Sequence, residues 1–360
     1  MEGLAMNWTF WQQRKVLVTG HTGFKGSWLS LWLQSHKVPV IGYALEPPTE
    51  PNLFELARVG EEMTSIIGDI RDFGHLQSVM LEHRPDVVFH LAAQPLVRRS
   101  YAEPVETFQT NVMGTVHVLE AVRNTPSVKV LVNVTTDKCY LNREWCWGYR
   151  EDEPLGGHDP YSSSKACSEL VSAAFRSSFF HPHSAIRHAT ARAGNVIGGG
   201  DWAQDRLVPD ILDALIHGRT PLIRSPHSIR PWQHVLDPLH GYLLLAETLW
   251  DHPESAEAWN FGPYETSAQT VGYITNYLSR AWGFDQPFEQ SPGHHPHEAN
   301  YLKLDSSKAH SRLGWRPRFD LHATLDLIIH WYKGLQQNQD PRMLTLHDIS
   351  TFETDQEPMQ

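Results

Sequence analysis

The sequence predicts an α/β chain in which a doubly wound, parallel sheet is followed by a smaller C-terminal lobe. Three observations carry that prediction. Short β-branched runs alternate with amphipathic stretches through the first half of the chain. The first of those runs opens directly into a glycine-rich loop, and past Gly194 the alternation gives way to segments rich in Gly, Pro, Trp and His. Strand and helix in strict alternation imply parallel strands covered by helices on both faces.

Strands are expected at KVLVT (15–19), VPVIGY (38–43), TSII (64–67), DVVFHL (86–91), VLVNVT (130–135) and HATARA (188–193). Most are rich in Val, Ile or Thr, which suit a buried pleated surface. Between them, helical periodicity appears at 23–35, 75–82, 105–123 and 161–179. Later helices are expected at 207–216, 238–250, 270–282 and 321–331, set among loops. From about Thr345 the chain turns polar and is expected to fray.

Composition narrows the function. With 360 residues, 41% hydrophobic and 20% charged, the chain reads as an ordinary globule large enough for two lobes. Thirty basic residues against 41 acidic give a net charge of -11, which argues against nucleic acid or an anionic membrane as partner. Any phosphate site must therefore be local. Cys139, Cys146 and Cys167 form neither a disulfide framework nor a paired CxxC, as suits a reducing cytoplasm. No stretch has the length of an apolar membrane span, and the first residues carry no signal-peptide pattern. The 22 histidines include His181 and His183, and His294, His295 and His297 around Pro296, but no helical HExxH. Such loop histidines are read as solvated, and no metal is expected.

The first strand runs into VTGHTGFKGSWL, where Gly20, Gly23 and Gly26 are spaced as GxxGxxG. Glycine lets the chain turn tightly, approach a pyrophosphate and pack a helix on the sheet; the helix N-terminus adds free N–H groups and a positive dipole end. The spacing departs from the common GxGxxG fingerprint, yet strand, loop and helix are all in place. His21 and Lys25 lie inside the loop, within reach of a pyrophosphate. Tyr43 and Ala44 close the second strand, with Glu46 only later, and no arginine stands nearby for a 2′-phosphate, so NAD is the expected cofactor. Asp69 and Ile70 follow the third strand, placed to meet an adenine; the plainer reading is a helix N-cap at Asp69 or Asp72. The nucleotide-binding domain is expected at 14–194, with later segments contributing to it. A mainly substrate-binding lobe is expected at 195–345, and tails at 1–13 and 346–360.

Tyr161 and Lys165 in YSSSK are four residues apart, about one helical turn, so phenol and ammonium can share a face. A tyrosine is a poor base at its usual pKa of about 10, but a neighbouring cation and a bound nicotinamide favour the phenolate. The pair alone is a weak signal. Upstream, however, VLVNV ends in Thr135, Thr136, Asp137 and Lys138, a second proton-handling set where a strand should stop. Each of these has a plainer reading as a strand end, a turn cap or a solvated lysine. Together, behind a glycine loop, they point to an enzyme.

In order along 15–331, the glycine loop, Asp69-Ile70, HLAAQP (90–95), Asn111 in TNVMGT, the Thr136 region, YSSSK and RAGNVIGGGDW resemble the extended short-chain dehydrogenases/reductases. That group holds the nucleotide-sugar epimerases and dehydratases. The resemblance implies a Rossmann domain in which Phe24, Leu91, Ala92, Ala93 and Asn111 join the glycine loop at NAD. It also implies substrate contacts from Gln94, Asn195, Trp202, Arg206 and Arg230, and a homodimer or dimer of dimers built on helices 105–123 and 161–179.

The Thr-Asp-acid/base trio resembles the 4,6-dehydratases. Most of them carry glutamate third, where this chain has Lys138. With GHTGFKGSWL, TTDKCY, GGGDWA and RPWQHVLD (230–237), that lysine is similar to the dehydratases acting on CDP-glucose. Residue chemistry alone does not single out cytosine. The implied roles are Tyr161 as base for the sugar 4-hydroxyl, with Lys165 holding both the phenolate and the nicotinamide ribose. Thr136 bonds the reacting oxygen, Lys138 takes the 5-proton, and Asp137 donates to the departing 6-hydroxyl. A dehydratase for another nucleotide sugar and a nucleotide-sugar 4-epimerase remain alternatives, the latter having no need of a donor and a base beside Thr136. A third is an NAD-binding sensor or scaffold, in which loss of Tyr161 or Lys165 would be expected.

Overall fold

The computed structural model describes residues 6–181, 184–291 and 301–354. Seven parallel strands form the central sheet: β1 (Val16–Thr19), β2 (Val40–Ala44), β3 (Thr64–Ile67), β4 (Val87–His90), β5 (Val130–Val134), β6 (Arg187–Arg192) and β7 (Ala258–Asn260). Their spatial order is β7-β6-β5-β4-β1-β2-β3. All six expected strands are present, with ends differing by at most two residues. The seventh, β7, returns from the C-terminal half to pair with β6, Asn260 opposite Arg192.

Register decides where a site can form. Thr19 pairs with both Tyr43 and His90, His90 with Asn133, and Val134 with Ala191. The strands therefore end level, and the segments after β1, β4, β5 and β6 emerge along one edge. In an open parallel sheet that carboxyl edge, at the point where strand order reverses, is the ligand crevice.

Alternate strand residues feed two cores. Val16, Val18, Val87, Phe89, Val130 and Val132 face the larger one, where helices α2 (Phe24–Ser35) and α7 (Leu236–Asp251) bury Trp28, Trp32, Leu239 and Leu243. Leu17, Val88 and Leu131 face the other, closed by α3 (Phe73–His83) and α4 (Gly114–Arg123). Each such aliphatic side chain removed from water contributes roughly 1.5–3 kcal/mol. The long helix α5 (Pro160–Ser178) starts at Asp159, whose carboxylate accepts from the Ser162 N–H and hydroxyl, with Pro160 at the first helical position.

The expected continuous helix at 105–123 is broken. Pro104–Phe108 is α-helical, Gln109–Met113 widens into a π turn, and α4 resumes at Gly114. The π turn swings Asn111 inward, where Gln94 and Ser164 bind its amide. In the C-terminal part, α6 (Leu207–Ile216), α8 (Val271–Ala281) and α9 (Leu321–Gln336) stand where expected, α9 running five residues further.

The tails need correction. Trp8–Gln12 forms a short helix, α1, with Trp11 fully buried. The segment expected to fray from Thr345 is a helix, α10 (Pro341–Thr354), that buries Leu344, Ile349 and Phe352 against the larger core. Those residues recur on one helical face, and the polar composition between them hid the stripe. His183, His294, His295 and His297 lie outside the described residues.

Candidate active site

The glycine loop forms a cradle whose dimensions depend on absent side chains. Gly20 has φ +78, and a Cβ there would sit 2.8 Å from the Ala92 nitrogen; at Gly26 it would sit 2.1 Å from the Gly20 carbonyl oxygen. These two glycines let β1, the start of α2 and the end of β4 close on one another. Gly23 differs. A Cβ there would meet only the Gly20 carbonyl at 3.4 Å, so its missing side chain leaves open room at the helix N-cap. No side chain caps α2, and its first-turn N–H groups face that room. An open concavity of this kind, floored by backbone N–H donors, fits a dinucleotide pyrophosphate.

Thr19 braces the cradle. Its hydroxyl lies 2.8 Å from His90 Nδ1 and receives the N–H groups of Leu91 and Ala92 at 3.1 and 3.2 Å, fixing the β4 end beside Gly20. Ala93 and Gln94 follow in the same turn. Gln94 is committed to its own loop, accepting from Leu96 N–H and donating to Thr107, and its backbone is held by Asn111. The side chains of Gln94 and Asn111 thus shape the crevice wall instead of opening into it. Ile70 is buried, its tip under Gly114, and the Asp69 carboxylate is taken by Arg71 in a forked pair at 2.6–3.0 Å. Tyr43, at the end of β2, donates to the Asp69 carbonyl.

Two loop residues are not where the sequence reading put them. The His21 ring turns into the sheet under Gly42, 2.8 Å from Ser65 Oγ, and burial lowers its pKa to about 4. It is a neutral spacer between β1, β2 and β3, leaving its backbone to the loop. Lys25 crosses toward α7, its ammonium 3.4 Å from the Tyr242 hydroxyl. Burial is the main reason its pKa falls to about 7; the nearby cations Arg206 and Lys165 lower it further, while Asp137 opposes them. Phe24, beside it, packs its ring toward Gly198.

The trio after β5 and the YSSSK helix meet. Thr136 caps a single 3-10 turn, Asp137–Cys139, accepting from Lys138 N–H at 3.3 Å and donating to Asp137 Oδ1 at 2.9 Å. Asp137 is fully buried. Its carboxylate occupies the space that a side chain at Gly194 would need, and its Oδ2 has no hydrogen-bond partner. Lys138, a third exposed, places its ammonium 3.9 Å from Asp137 Oδ1. A buried acceptor without a partner, beside a cation and the Thr136 hydroxyl, is an arrangement able to exchange protons with a bound substrate.

Tyr161 and Lys165 project from α5 into the same space, both nearly buried. Burial pushes the Tyr161 phenol up to about 12; Thr136 and the Arg206 charge pull it back, and Asp137 raises it. Among the protein's own groups, burial is the largest influence on this phenol and outweighs the contacts that lower it. Burial likewise lowers Lys165 to about 8, opposed by Glu169, and its ammonium lies 3.4 Å from the Val134 carbonyl.

Glu169, one turn beyond Lys165, was missed in the sequence. It receives Thr135 Oγ1, Thr190 Oγ1 at 2.8 Å and the Arg192 guanidinium at 2.8 Å, all buried. Burial alone would raise its pKa, but Arg192 and these hydrogen bonds hold it below the usual range. This network pins β5 and β6 under the trio. The Tyr161, Lys165, Glu169 spacing of i, i+4, i+8 was the available signal.

The opposite wall comes from 194–206. Asn195 adopts φ +46, its side-chain N–H group buried without a partner. Arg206 donates to Asp201 at 2.8 Å while its charge reaches Tyr161 and Lys25. Trp202 packs on Trp331 and Tyr332 at 5.8 and 6.0 Å between ring centroids, so its ring helps close the wall. Arg230, in the strand Ile229–Pro231, donates to the Ile229 carbonyl; Gln233 next to that strand binds the Gly194 carbonyl. The charges of Lys165 and Arg206 both reach Lys25, so three basic groups are gathered in one place in a chain of net charge -11.

Comparison with known proteins agrees with this geometry. The model of the GDP-mannose 4,6 dehydratase family matches residues 17–327. A CDP-glucose 4,6-dehydratase of Salmonella typhimurium is 54% identical, over 95% of this chain and 97% of that protein. A dTDP-glucose 4,6-dehydratase of Streptomyces antibioticus is 30% identical over 88% and 92%. Among solved structures, a dTDP-glucose 4,6-dehydratase of Streptomyces venezuelae with NAD bound superposes with a TM-score of 0.77 at 26% identity, covering 91% of this chain and 99% of that one. A UDP-glucose 4-epimerase of Thermotoga maritima shares the fold, with TM-score 0.77 at 23% identity and coverage of 89% and 99%. With the cradle, the trio and the YSSSK helix assembled at one sheet edge, the chain belongs to the GDP-mannose 4,6 dehydratase family.

Proposed function

We propose that this chain is a hydro-lyase that uses NAD to convert CDP-glucose into CDP-4-dehydro-6-deoxyglucose and water. The observation that carries the reading is the Thr136–Asp137–Lys138 turn facing Tyr161 and Lys165 across one crevice. The 54% identity to a CDP-glucose 4,6-dehydratase supports the choice of nucleotide. NAD, when bound, supplies the acceptor for the hydride from sugar carbon 4 and the donor of the hydride that arrives at carbon 6. The N-cap of α2 would hold its pyrophosphate, and Ile70, Leu91, Ala92 and Ala93 would contact it.

The protein's own groups move the protons. Tyr161 takes the 4-hydroxyl proton, assisted by Thr136, whose single hydroxyl proton must turn from Asp137 to the reacting oxygen. Lys165 holds the phenolate, and positive charge near that phenol offsets the burial that otherwise keeps it protonated. A ketone at carbon 4 acidifies the hydrogen at carbon 5, which Lys138 removes. Asp137 delivers a proton to the 6-hydroxyl, which leaves as water. A proton then returns to carbon 5. The sum is loss of one water with no net oxidation. Asn195, Arg206 and Arg230 bind the nucleoside diphosphate, the arginine forks suiting phosphate oxygens.

Residues 14–194, completed by 258–260, form the NAD-binding part, and 195–345 mainly the substrate lobe. Among the described residues no helix is long and apolar enough to cross a membrane. The three free cysteines suit the reducing cytoplasm that this reading assigns as the working compartment. Val105, Phe108, Met113 and Leu170 expose an apolar face on the π-turned helix and α5, which suits a homodimer. The product is an intermediate for deoxysugar biosynthesis. Incubation with CDP-glucose, UDP-glucose, dTDP-glucose and GDP-mannose tests the reading. Loss of one water from CDP-glucose in preference to the others supports it; unchanged mass with altered stereochemistry identifies an epimerase, and no turnover a sensor.

A further inference from the structure

Far along the chain from the crevice residues, the hairpin of α9 and α10 carries a cluster that the proposed reaction does not use. His330 lies on α9, and His347 and Asp348 on α10; one ligand atom from each falls within 4.8 Å of the others. The two imidazoles are exposed, with ring centroids 5.1 Å apart. Asp348 is fully buried beneath them, and neither of its carboxylate oxygens has a hydrogen-bond partner. Among the described residues no cation pairs with it.

A buried carboxylate without partners is an anomaly in a folded protein, because its desolvation is uncompensated. Here the carboxylate points toward two imidazoles that can offer neutral nitrogen lone pairs. Two imidazoles and one carboxylate are a donor set suited to borderline divalent ions, with zinc-ligand distances of about 2.0–2.2 Å and a fourth position left for water. Ligands at such distances in a tetrahedron stand about 3.3 Å apart, so small rotations of the exposed rings close the present spacing. The surroundings are rigid. Trp331, next to His330, bonds Thr345 on α10 at 3.1 Å, and Tyr332 bonds the Asp201 carbonyl at 2.7 Å.

We propose that His330, His347 and Asp348 bind one zinc-class divalent ion that clasps α9 to α10. The site is distinct from the crevice, and its ligand is the metal ion alone. This proposal runs against the expectation from the sequence that the chain binds no metal. His330 and His347 lie 17 residues apart on two helices, so no spacing in the sequence pairs them.

Metal binding by the full-length chain, free of any affinity tag and stripped with a chelator, tests the proposal. Calorimetric titration with Zn²⁺ should show one saturable site, and Co²⁺ should give visible absorption bands of low-symmetry coordination. Excess Zn²⁺ should raise the melting temperature. His330→Ala and His347→Ala, at exposed positions, should each weaken binding at least tenfold while the chain stays folded. Asp348→Asn should do the same; should it fail to fold, the two histidine variants decide. Replacing His294, His295 and His297 together by alanine should leave the site intact. Absence of saturable binding by the wild type overturns the proposal. So does unchanged affinity in the His330→Ala/His347→Ala double variant, or loss of the site with the loop triple variant.

Discussion

Tyr161 stands where burial and charge pull in opposite directions, and the difference determines its chemistry. Burial holds the phenol near 12, so its work as a base depends on positive charge brought close to it. Tyr161→Phe removes the proton acceptor and little else. Turnover should fall by about 10²–10⁴-fold while CDP-glucose still binds with near wild-type affinity, as measured by steady-state kinetics beside calorimetry. Lys138 acts later. Lys138→Ala should still oxidise the sugar, since Tyr161 and Lys165 are intact, and then stall. Reduced nicotinamide absorbance should accumulate in a burst, and deuterium from heavy water should no longer enter carbon 5. Normal incorporation at an undiminished rate would falsify its role as base.

These residues were legible in the sequence because their chemistry is local: a strand end and one helical turn place them. Glu169 was not. Its value comes from Thr135, Thr190 and Arg192, which are brought to it only by strand pairing. His21 and Lys25 were misplaced for a related reason, since spacing puts them in the loop but packing decides which way each side chain turns.

Elements translate those contacts into stability and binding. Gly23 and Gly26 sit in one loop yet predict opposite outcomes. Gly26→Ala drives a methyl into the Gly20 carbonyl, so the melting temperature should drop; Gly23→Ala meets only a 3.4 Å neighbour and should fold normally. In the latter the methyl fills the room at the helix N-terminus, and NAD affinity should fall at least tenfold by fluorescence titration. The Glu169–Arg192 pair gives a pH-dependent counterpart. Glu169→Gln leaves Arg192 buried and unpaired, a loss of roughly 3–5 kcal/mol, read by urea unfolding at neutral pH. Because the folded Glu169 is held below its ordinary pKa, its stabilisation is present above the usual glutamate range. It is lost as pH falls through the depressed value. The gap between wild type and variant should therefore narrow in acid. Helix 105–123 shows why element boundaries read from sequence are incomplete. The periodicity continues through the π turn, and only the demand of Gln94 and Ser164 for Asn111 reveals it.

At the scale of the molecule, the parallel sheet and its glycine loop were visible in the sequence as alternation and glycine spacing, whereas the strand order came from the pairing. The closing parts were less visible. β7 is three residues long, and α10 hides its apolar stripe among polar neighbours, so both became evident only when packed. The exposed face of Val105 and Leu170 belongs to this scale too. For the homodimer proposed above, Val105→Glu at this exposed position should shift light scattering after size exclusion toward monomer, with the circular dichroism unchanged. In the proposed reaction one crevice moves a hydride from carbon 4 to carbon 6 of the same sugar while water leaves. CDP-glucose carrying deuterium at carbon 4 tests it most directly. The product should be lighter by one water and carry the deuterium at carbon 6; deuterium returned to carbon 4 of an undehydrated sugar would rule this transfer out.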